Sequence, residues 1–520
     1  MMVGTGTTWP TALVPALRLV WSRTLFPGQS SAGEPPRVAS LALLVILPAL
    51  LLYPCLGFHL LEPDEGRYAE IPREMLVRGD WVVPHLQSEP YLDKPPLMYW
   101  LVALSFKLFG VSAASARLVP ALAVHGCILA TYLFGCRFLG ERRAMRGALL
   151  LSVMPGLVGI GRLLTLDGLL TCWVVLGQFA GFAYLRDRGR YSGWMCAVAC
   201  GLGVLTKGPI ALILVLMPLT IWTMLHPASA RRPNIRAMAA LASVVLAINL
   251  PWYVLISLRQ PGFLKYFFWQ HNVERFLTPF DHLQPVWYYG PILLFGLMPA
   301  TLWLWPAIKS LFGADATQRS PELAYCLICG GFCVLFFSLS GSKLPTYILP
   351  AFPPLALALG ALLHDEDKPR GSLVILSWAV LFGAAHFFVI PKYATERSPL
   401  REEALVRAAC ADPNVAVVCY PRNCDSVGFY LERDDLKSTR SKFVHLLVAD
   451  LLTRPRTVVL FTHRHSMEAL KFALPPDLMM TPVADLRRKD GSWISKLVGE
   501  TPWGLCDIAV IEKVSTKSQN

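Results

Sequence analysis

Long apolar runs, separated by short polar turns, recur through most of the sequence. A helix that crosses a bilayer needs about 20 predominantly apolar residues, and several of these runs are somewhat shorter. The runs cover residues 38–61, 118–139, 144–161, 168–185, 194–205, 210–225, 238–256, 285–307, 323–340, 347–363 and 373–390. They predict an all-α polytopic membrane protein with about 11 to 13 transmembrane helices, the higher number applying if amphipathic parts of the first polar loop re-enter the bilayer.

The composition excludes a soluble globular protein. Only 16% of the residues are charged and 54% are hydrophobic, whereas about a quarter of the residues in a soluble domain are charged. The net charge of +13 is also typical of proteins that bind nucleic acid. Here much of the positive charge lies in short loops between apolar runs, where it sets membrane topology. We therefore expect membrane lipids around the chain and no nucleic acid as a partner.

The distribution of lysine and arginine predicts which loops face the cytoplasm. If the N-terminus is cytoplasmic, every short loop on the inner side is basic, as the positive-inside rule requires. These inner loops contain residues 137–146, 186–190, 231–236, 309–319 and 368–370. The same topology places every unusual polar cluster outside, namely the 62–110 loop, the Asp167 turn, the 206–209 turn, the 259–284 loop and the 340–346 turn.

The first of these outer segments, residues 62–110, is too polar to cross a bilayer and is dense in charge. Charged groups beside a membrane span are costly unless they face water or a functional site. They include Asp64, Glu65, Arg67, Glu70, Arg73, Glu74 and Lys94. A solvated loop with ordinary ion pairs along one helix is the alternative interpretation.

Three segments of this loop carry a family resemblance: DEGRYAEI from Asp64, GDWVVP from Gly79 and YLDKPPLMYWL from Tyr91. Their order and position resemble the first extracytoplasmic loop of bacterial lipid A aminoarabinose transferases and their dolichyl-phosphate-mannose protein mannosyltransferase relatives. The resemblance implies the type-C glycosyltransferase fold. It also implies an inverting enzyme of the bacterial inner membrane, which moves an aminoarabinose or hexose from a polyprenyl phosphate donor to a lipid or glycan acceptor such as lipid A. A protein O-mannosyltransferase-like activity is the alternative.

Such a transfer needs a carboxylate that deprotonates the acceptor hydroxyl and cations that hold the departing phosphate. The resemblance implies that Asp64 is this base and that Asp167 is a second acidic site, although Asp167 could instead cap the helix that follows it. The implied contacts to the donor phosphate are Arg67, Lys94, Lys207, Lys343 and Tyr347. Structural alternatives are an Asp64–Arg67 ion pair, snorkelling of Lys207 to the interface and an interfacial position for Tyr347.

The sugar or acceptor contacts implied by the resemblance are Glu65, His271, Asn272 and Arg275. Glu65 could instead be an acidic residue placed favourably at a helix start. A divalent metal is the one cofactor left open, because Asp93 and His271 could form a ligand pair but no third ligand is evident. Cys326 and Cys329 have CxxC spacing inside an apolar run, where thiols behave as small hydrophobic groups.

A transporter of polyprenyl-linked lipid is the competing function class. Transporters carry charges near mid-membrane, often in broken helices of repeated halves. In this sequence the charges gather at one face, which favours a transferase.

The composition changes abruptly after residue 391. Apolar strand-like segments at 415–418, 457–461 and 507–511, with a helical pattern at 466–474, predict a small α/β domain outside the membrane. The predicted organisation is thus a cytoplasmic tail at 1–37, a transmembrane domain at 38–391 and an extracytoplasmic domain at 392–520. In that compartment a Cys419–Cys424 disulfide and free buried thiols both stay open.

Overall fold

The computed structural model describes residues 32–33, 35–187, 189–231, 233–274, 282–313, 320–363, 368–463, 465–486 and 507–514. The predicted N-terminal tail lies almost wholly outside these residues. The first part of the chain is helical. Its helices are α1 (Val38–Leu52), α2 (Asp64–Arg78), α3 (Leu97–Phe109), α4 (Ala113–Phe138), α5 (Glu141–Val153), α6 (Leu166–Asp187), α7 (Arg190–Lys207), α8 (Ile210–Leu225), α9 (Ile235–Arg259), α10 (Tyr289–Gly296), α11 (Leu304–Phe312), α12 (Pro321–Leu339), α13 (Phe352–Leu362), α14 (Lys368–Ala384) and α15 (Ile390–Arg397).

Shorter segments interrupt or extend these helices. They are π-helical at Pro155–Gly159, Lys265–Glu274 and Ala385–Val389, and 3₁₀-helical at Val286–Tyr288, Ala300–Trp303 and Pro345–Ala351. A two-stranded hairpin of β1 (His85–Leu86) and β2 (Glu89–Pro90) follows α2.

Six helices among the described residues are long and apolar enough to cross a membrane. A seventh span is formed if the pair Val286–Gly296 and Ala300–Phe312, bent by 101°, counts as one. The predicted eleven runs also included shorter apolar helices, such as α1 and α8, and helices broken by turns. With several such spans, the chain is a multi-pass membrane protein.

Small residues allow the helices of this part to pack closely. A Cβ atom added to Gly360 of α13 would lie 2.4 Å from the backbone nitrogen of Gly147 in α5, so the two helices touch along their backbones. Aromatic rings fill the space between other helices. Phe182 of α6 stacks on Tyr325 of α12 with ring centroids 4.5 Å apart, and Trp222 of α8 lies 4.7 Å away.

The chain after α15 forms a mixed sheet flanked by helices. The helices are α16 (Glu403–Ala409), α17 (Asp425–Leu431), α18 (Val444–Thr453) and α19 (Ser466–Ala473), and the strands are β3 (Ala416–Tyr420), β4 (Lys437–Ser438), β5 (Arg456–Phe461), β6 (Leu478–Asp485) and β7 (Asp507–Lys513). The strand order is β4-β3-β5-β7-β6. Strand β3 is parallel to β4 and β5, whereas β7 is antiparallel to β5 and β6. All three predicted strands lie in this sheet.

The structure forms no Cys419–Cys424 disulfide; both thiols are buried, Cys419 on β3 and Cys424 just before α17. Helix α17 packs against α2. The C-terminal domain therefore lies on the same side of the helical part as the first polar loop.

Candidate active site

A cavity of about 600 Å³ lies where several polar turns meet. Five residues predicted from the sequence line it, namely Lys94, Lys207, His271, Asn272 and Tyr347. The rest of its wall is largely apolar and aromatic, with Ile210, Ile213, Leu264, Phe268, Trp269, Phe336 and Phe337 among the lining residues. The cavity thus combines cationic groups with a hydrophobic surface.

Lys207 and Asp167 form an ion pair at this cavity. The Lys207 Nζ atom donates a hydrogen bond to Asp167 Oδ1 at 2.5 Å and lies 4.5 Å from the centroid of the Tyr347 ring. Lys207 is the last residue of α7, and Gly208 follows with a φ of 87°, a left-handed conformation that suits glycine. This abrupt turn ends the helix at the cavity and places the ammonium group there.

Lys94 and His271 meet on the same wall. Lys94 Nζ lies 2.6 Å from His271 Nε2. The preceding residue, Asp93, accepts a hydrogen bond from the Tyr266 hydroxyl at 2.5 Å. Burial alone would raise the pKa of Asp93, but this hydrogen bond and the nearby charges of His271 and Lys94 hold the pKa below its usual value. Asp93 is therefore a carboxylate at neutral pH.

Neither Asp93 nor His271 forms a complete metal site with its neighbours. Within the part of the chain that the structure describes, no group of three His, Cys, Asp or Glu side chains is arranged to hold a metal ion. Asn272 is the next residue, and its Nδ2 donates to the Phe267 carbonyl at 2.6 Å. Arg275, which was predicted to contact sugar or acceptor, lies outside the described residues.

Asp64 and Arg67 lie on the first turn of α2. The Asp64 side chain is 47% exposed, and its Oδ1 is 3.8 Å from Arg67 Nη1. The Arg67 guanidinium lies 5.8 Å from the centroid of the Tyr91 ring. Tyr91 is hydrogen-bonded in turn to Asp93. A continuous polar path therefore leads from Asp64 to the residue beside Lys94 at the cavity.

Comparison with known proteins supports the resemblance seen in the loop. The model of the dolichyl-phosphate-mannose-protein mannosyltransferase family matches residues 38–267. An undecaprenyl phosphate-α-4-amino-4-deoxy-L-arabinose arabinosyl transferase of Pseudomonas fluorescens is 33% identical over 65% of this chain and 59% of its own length. The corresponding transferase of Aeromonas salmonicida is 36% identical over 62% of this chain and 60% of its own length. The chain is related to these membrane transferases.

The alignments span about three fifths of the length of these curated transferases. Among solved structures, ArnT from Cupriavidus metallidurans bound to undecaprenyl phosphate superposes with a TM-score of 0.72. The superposition covers 93% of this chain and 99% of ArnT at 20% sequence identity, so it shows a common fold. The predicted type-C transferase fold is thereby confirmed.

Not every residue that the transferase resemblance pointed to lines the cavity: Asp64, Glu65, Arg67, Asp167 and Lys343 are not among its lining residues. Glu65, predicted to contact sugar or acceptor, is 2% exposed and does not line the cavity. Its two carboxylate oxygens accept hydrogen bonds from Arg117 Nε at 2.8 Å and Nη2 at 2.6 Å. The backbone amides of Leu61 and Leu164 donate to the same carboxylate. Glu65 thus joins α2 to α4 and to the segment before α6.

Lys343, predicted to contact the donor phosphate, does not line the cavity either. It is 2% exposed, and its ammonium donates to the carbonyl oxygens of Gln284, at 2.8 Å, and of Ser340. Burial lowers the pKa of this ammonium. Its neighbours Ser342 and Tyr347 line the cavity, so Lys343 braces the turn that presents them.

The structure also reveals buried ionisable residues that sequence reasoning missed. Arg117 lies within an apolar helix, and Glu62 precedes the DEGRYAEI segment that carries the resemblance. Asp425 belongs to the C-terminal domain, yet its Oδ2 lies 3.8 Å from Arg67 Nε. No local signal links residues so far apart in sequence; only the packing of α17 against α2 brings them together.

Proposed function

We propose that the chain is an inverting membrane glycosyltransferase that moves a sugar, of aminoarabinose or hexose type, from a polyprenyl phosphate to an envelope acceptor such as lipid A. The observation that carries the proposal is the cavity itself, in which Lys94 and Lys207 stand beside an apolar and aromatic wall. The ammonium groups suit a phosphate, and the wall suits an isoprenoid chain. Both curated relatives described above are named for aminoarabinose transfer, which supports that sugar over mannose.

The proposed reaction is a single displacement. Asp64 accepts the proton of the acceptor hydroxyl, and the hydroxyl oxygen forms a bond to the anomeric carbon. The bond between that carbon and the phosphate oxygen breaks, and polyprenyl phosphate leaves with the electron pair. The negative charge on the phosphate rises as it departs, so the nearby ammonium groups of Lys94 and Lys207 stabilise the transition state more than the bound donor. The role of Asp93 and His271 as a metal ligand pair stays a hypothesis.

A transfer assay with Lys207→Met tests this proposal. Purified protein is incubated with undecaprenyl phosphate carrying aminoarabinose, or a hexose, and with lipid A, and the products are identified by mass spectrometry. We expect the wild type to modify lipid A, and we expect Lys207→Met to lower kcat/KM by about 100-fold, since it removes a charge that stabilises the leaving phosphate.

Lys309→Met provides the matched control for this assay. Lys309 is exposed on α11 and does not line the cavity, so its replacement removes the same charge without touching the site. The control should retain wild-type activity. Equal activity of Lys207→Met and Lys309→Met, or no transfer from any polyprenyl phosphate sugar by the wild type, would overturn the proposal.

We further propose that the site and the C-terminal domain face the outside of the bacterial inner membrane and that the N-terminus is cytoplasmic. The contacts between loops support this topology. Arg137 and Asp187 pair at 2.5 Å, and Arg186 pairs with Glu322 at 2.7 Å. These residues lie at or beside loops that the positive-inside rule assigns to the cytoplasm. In contrast, the cavity turns and the C-terminal domain gather around the first polar loop.

Alkaline phosphatase fusions test this orientation, because the enzyme is active only outside the cytoplasm. A fusion after residue 514 should be active, and a fusion after residue 187 should be inactive in cells that express both at equal levels. The reverse pattern would contradict the orientation but not the transfer activity.

A further inference from the structure

The C-terminal domain is fitted closely against the first-loop helix. A Cβ atom added to Gly66 of α2 would lie 2.7 Å from the backbone nitrogen of Ser426 in α17, so the helices approach at backbone distance. That nitrogen donates to Glu62 Oε1 at 2.6 Å. On the next turns of α2, Arg73 Nη2 donates to Asp434 Oδ1 at 2.7 Å. These contacts fix the position of α17 relative to α2.

Asp425, the first residue of α17, is buried in this contact. Its side chain is 1% exposed. Gln87 Nε2 donates a hydrogen bond to Asp425 Oδ1 at 2.8 Å and another to Ser438 Oγ at 2.9 Å. The second oxygen, Oδ2, is buried without a hydrogen-bond partner. It faces Arg67 Nε at 3.8 Å, beyond hydrogen-bond distance.

At this distance the Asp425 carboxylate attracts the Arg67 guanidinium but accepts no hydrogen bond from it, so it leaves the N–H groups of Arg67 available to a substrate. A buried carboxylate at 3.8 Å holds the guanidinium electrostatically, and the Arg67 side chain keeps 27% of its surface exposed. Its other acidic neighbour, Asp64, is also 3.8 Å away. Two carboxylates thus attract one guanidinium, and Tyr91 connects that guanidinium to Asp93, the residue beside Lys94.

We propose that Asp425 is a positioning residue for sugar transfer, by which the C-terminal domain holds Arg67 in place at the active site. This proposal rests on the proposed function. The C-terminal domain, none of whose described residues lines the cavity, would then complete the site, because α2 itself supplies only Asp64 as a counter-charge near Arg67.

The charge states of the surrounding groups fit this role. Burial and, to a smaller extent, the charge of Asp425 together raise the pKa of Glu62 to about 8. Burial and the charge of Glu74 also raise the pKa of Asp425, to about 6, against the opposing effects of Arg67, Gln87 and Arg440. At neutral pH Glu62 is then largely protonated, and Asp425 supplies the negative charge that faces Arg67.

Asp425→Asn tests the proposal, because it removes the charge and keeps the shape. We expect kcat/KM for transfer to fall by about 10-fold through misplacement of Arg67. Asp434→Asn is the matched control: it removes an equal charge from the same interface, where Asp434 pairs with Arg73 and not with Arg67. The control should retain wild-type activity.

A double-mutant cycle separates positioning from a merely structural effect. If Asp425 acts through Arg67, Asp425→Asn should cause no further loss in an Arg67→Gln background, since the two changes disrupt one interaction. Gln87→Ala, which leaves the Asp425 charge intact but removes its hydrogen bond, should give a smaller loss in the same direction. This variant serves if Asp425→Asn does not fold.

Each outcome decides one question. Wild-type activity in Asp425→Asn, or equal losses from Asp425→Asn in the wild-type and Arg67→Gln backgrounds, would overturn the positioning role while leaving the proposed function intact. Absence of transfer by the wild type, together with no binding of undecaprenyl phosphate, would overturn the proposed function instead.

Discussion

Replacing Asp64 with asparagine is expected to lower the rate of sugar transfer by at least about 100-fold, the contribution typical of a general base. Asparagine keeps the size of the side chain but cannot accept a proton from the acceptor hydroxyl. The effect should appear in kcat, measured by mass spectrometry of lipid A, because the carboxylate acts on the acceptor during the chemical step. Binding of undecaprenyl phosphate should change little.

Because Asp64 is exposed, its substitution should affect catalysis without destabilising the fold. Its side chain is 47% exposed, so the substitution should change the free energy of unfolding by no more than about 0.5 kcal/mol. Asp187→Asn is the matched control, since Asp187 is 43% exposed and also pairs with an arginine, Arg137, in a different part of the structure. Transfer by Asp64→Asn at the rate of Asp187→Asn would show that the base lies elsewhere, and Asp167 would be the next candidate.

The long apolar runs were enough to predict an all-α polytopic membrane protein, but they could not predict where helices break. The run at 285–307 was counted as one span, whereas the structure bends it by 101° between Gly296 and Ala300. Pro299 lies in this bend and cannot donate a backbone hydrogen bond. The run at 144–161 is likewise divided, since α5 ends at Val153 and a π-helical segment follows. Hydropathy averages over such breaks, so it overcounts full-length spans.

From the sequence we could predict which residues lie on the outer face of the membrane, but not which of them meet in one cavity. Lys94, Lys207 and Tyr347 come from segments far apart in the sequence, and their shared cavity depends on helix packing. The same limit explains why the pairing of Glu65 with a buried arginine was not predicted. Its partner, Arg117, lies 52 residues away within an apolar helix, and no local pattern indicates that the two side chains meet.

Arg117→Met is expected to lower the free energy of unfolding by about 3 to 5 kcal/mol, because it leaves the Glu65 carboxylate buried without its partner. The two side chains are inaccessible to solvent, with exposed side-chain fractions of 0% for Arg117 and 3% for Glu65. Methionine approximates the length of the arginine stem but carries no charge. Equilibrium unfolding in mixed detergent micelles measures the loss. Arg407→Met is the control, since the Arg407–Glu403 pair is 50% and 40% exposed and should contribute less than about 1 kcal/mol.

A second substitution distinguishes a structural Glu65 from one that contacts the sugar. If its function is to pair with Arg117, combining Glu65→Gln with Arg117→Met should recover part of the stability lost in Arg117→Met alone, since no unpaired charge remains buried. The folded double variant should then transfer sugar at close to the wild-type rate. A large fall in kcat/KM for Glu65→Gln with unchanged stability would instead restore the sugar contact that the resemblance implied. The buried bidentate geometry favours the first result, because a carboxylate that already accepts four hydrogen bonds has little capacity left for a substrate.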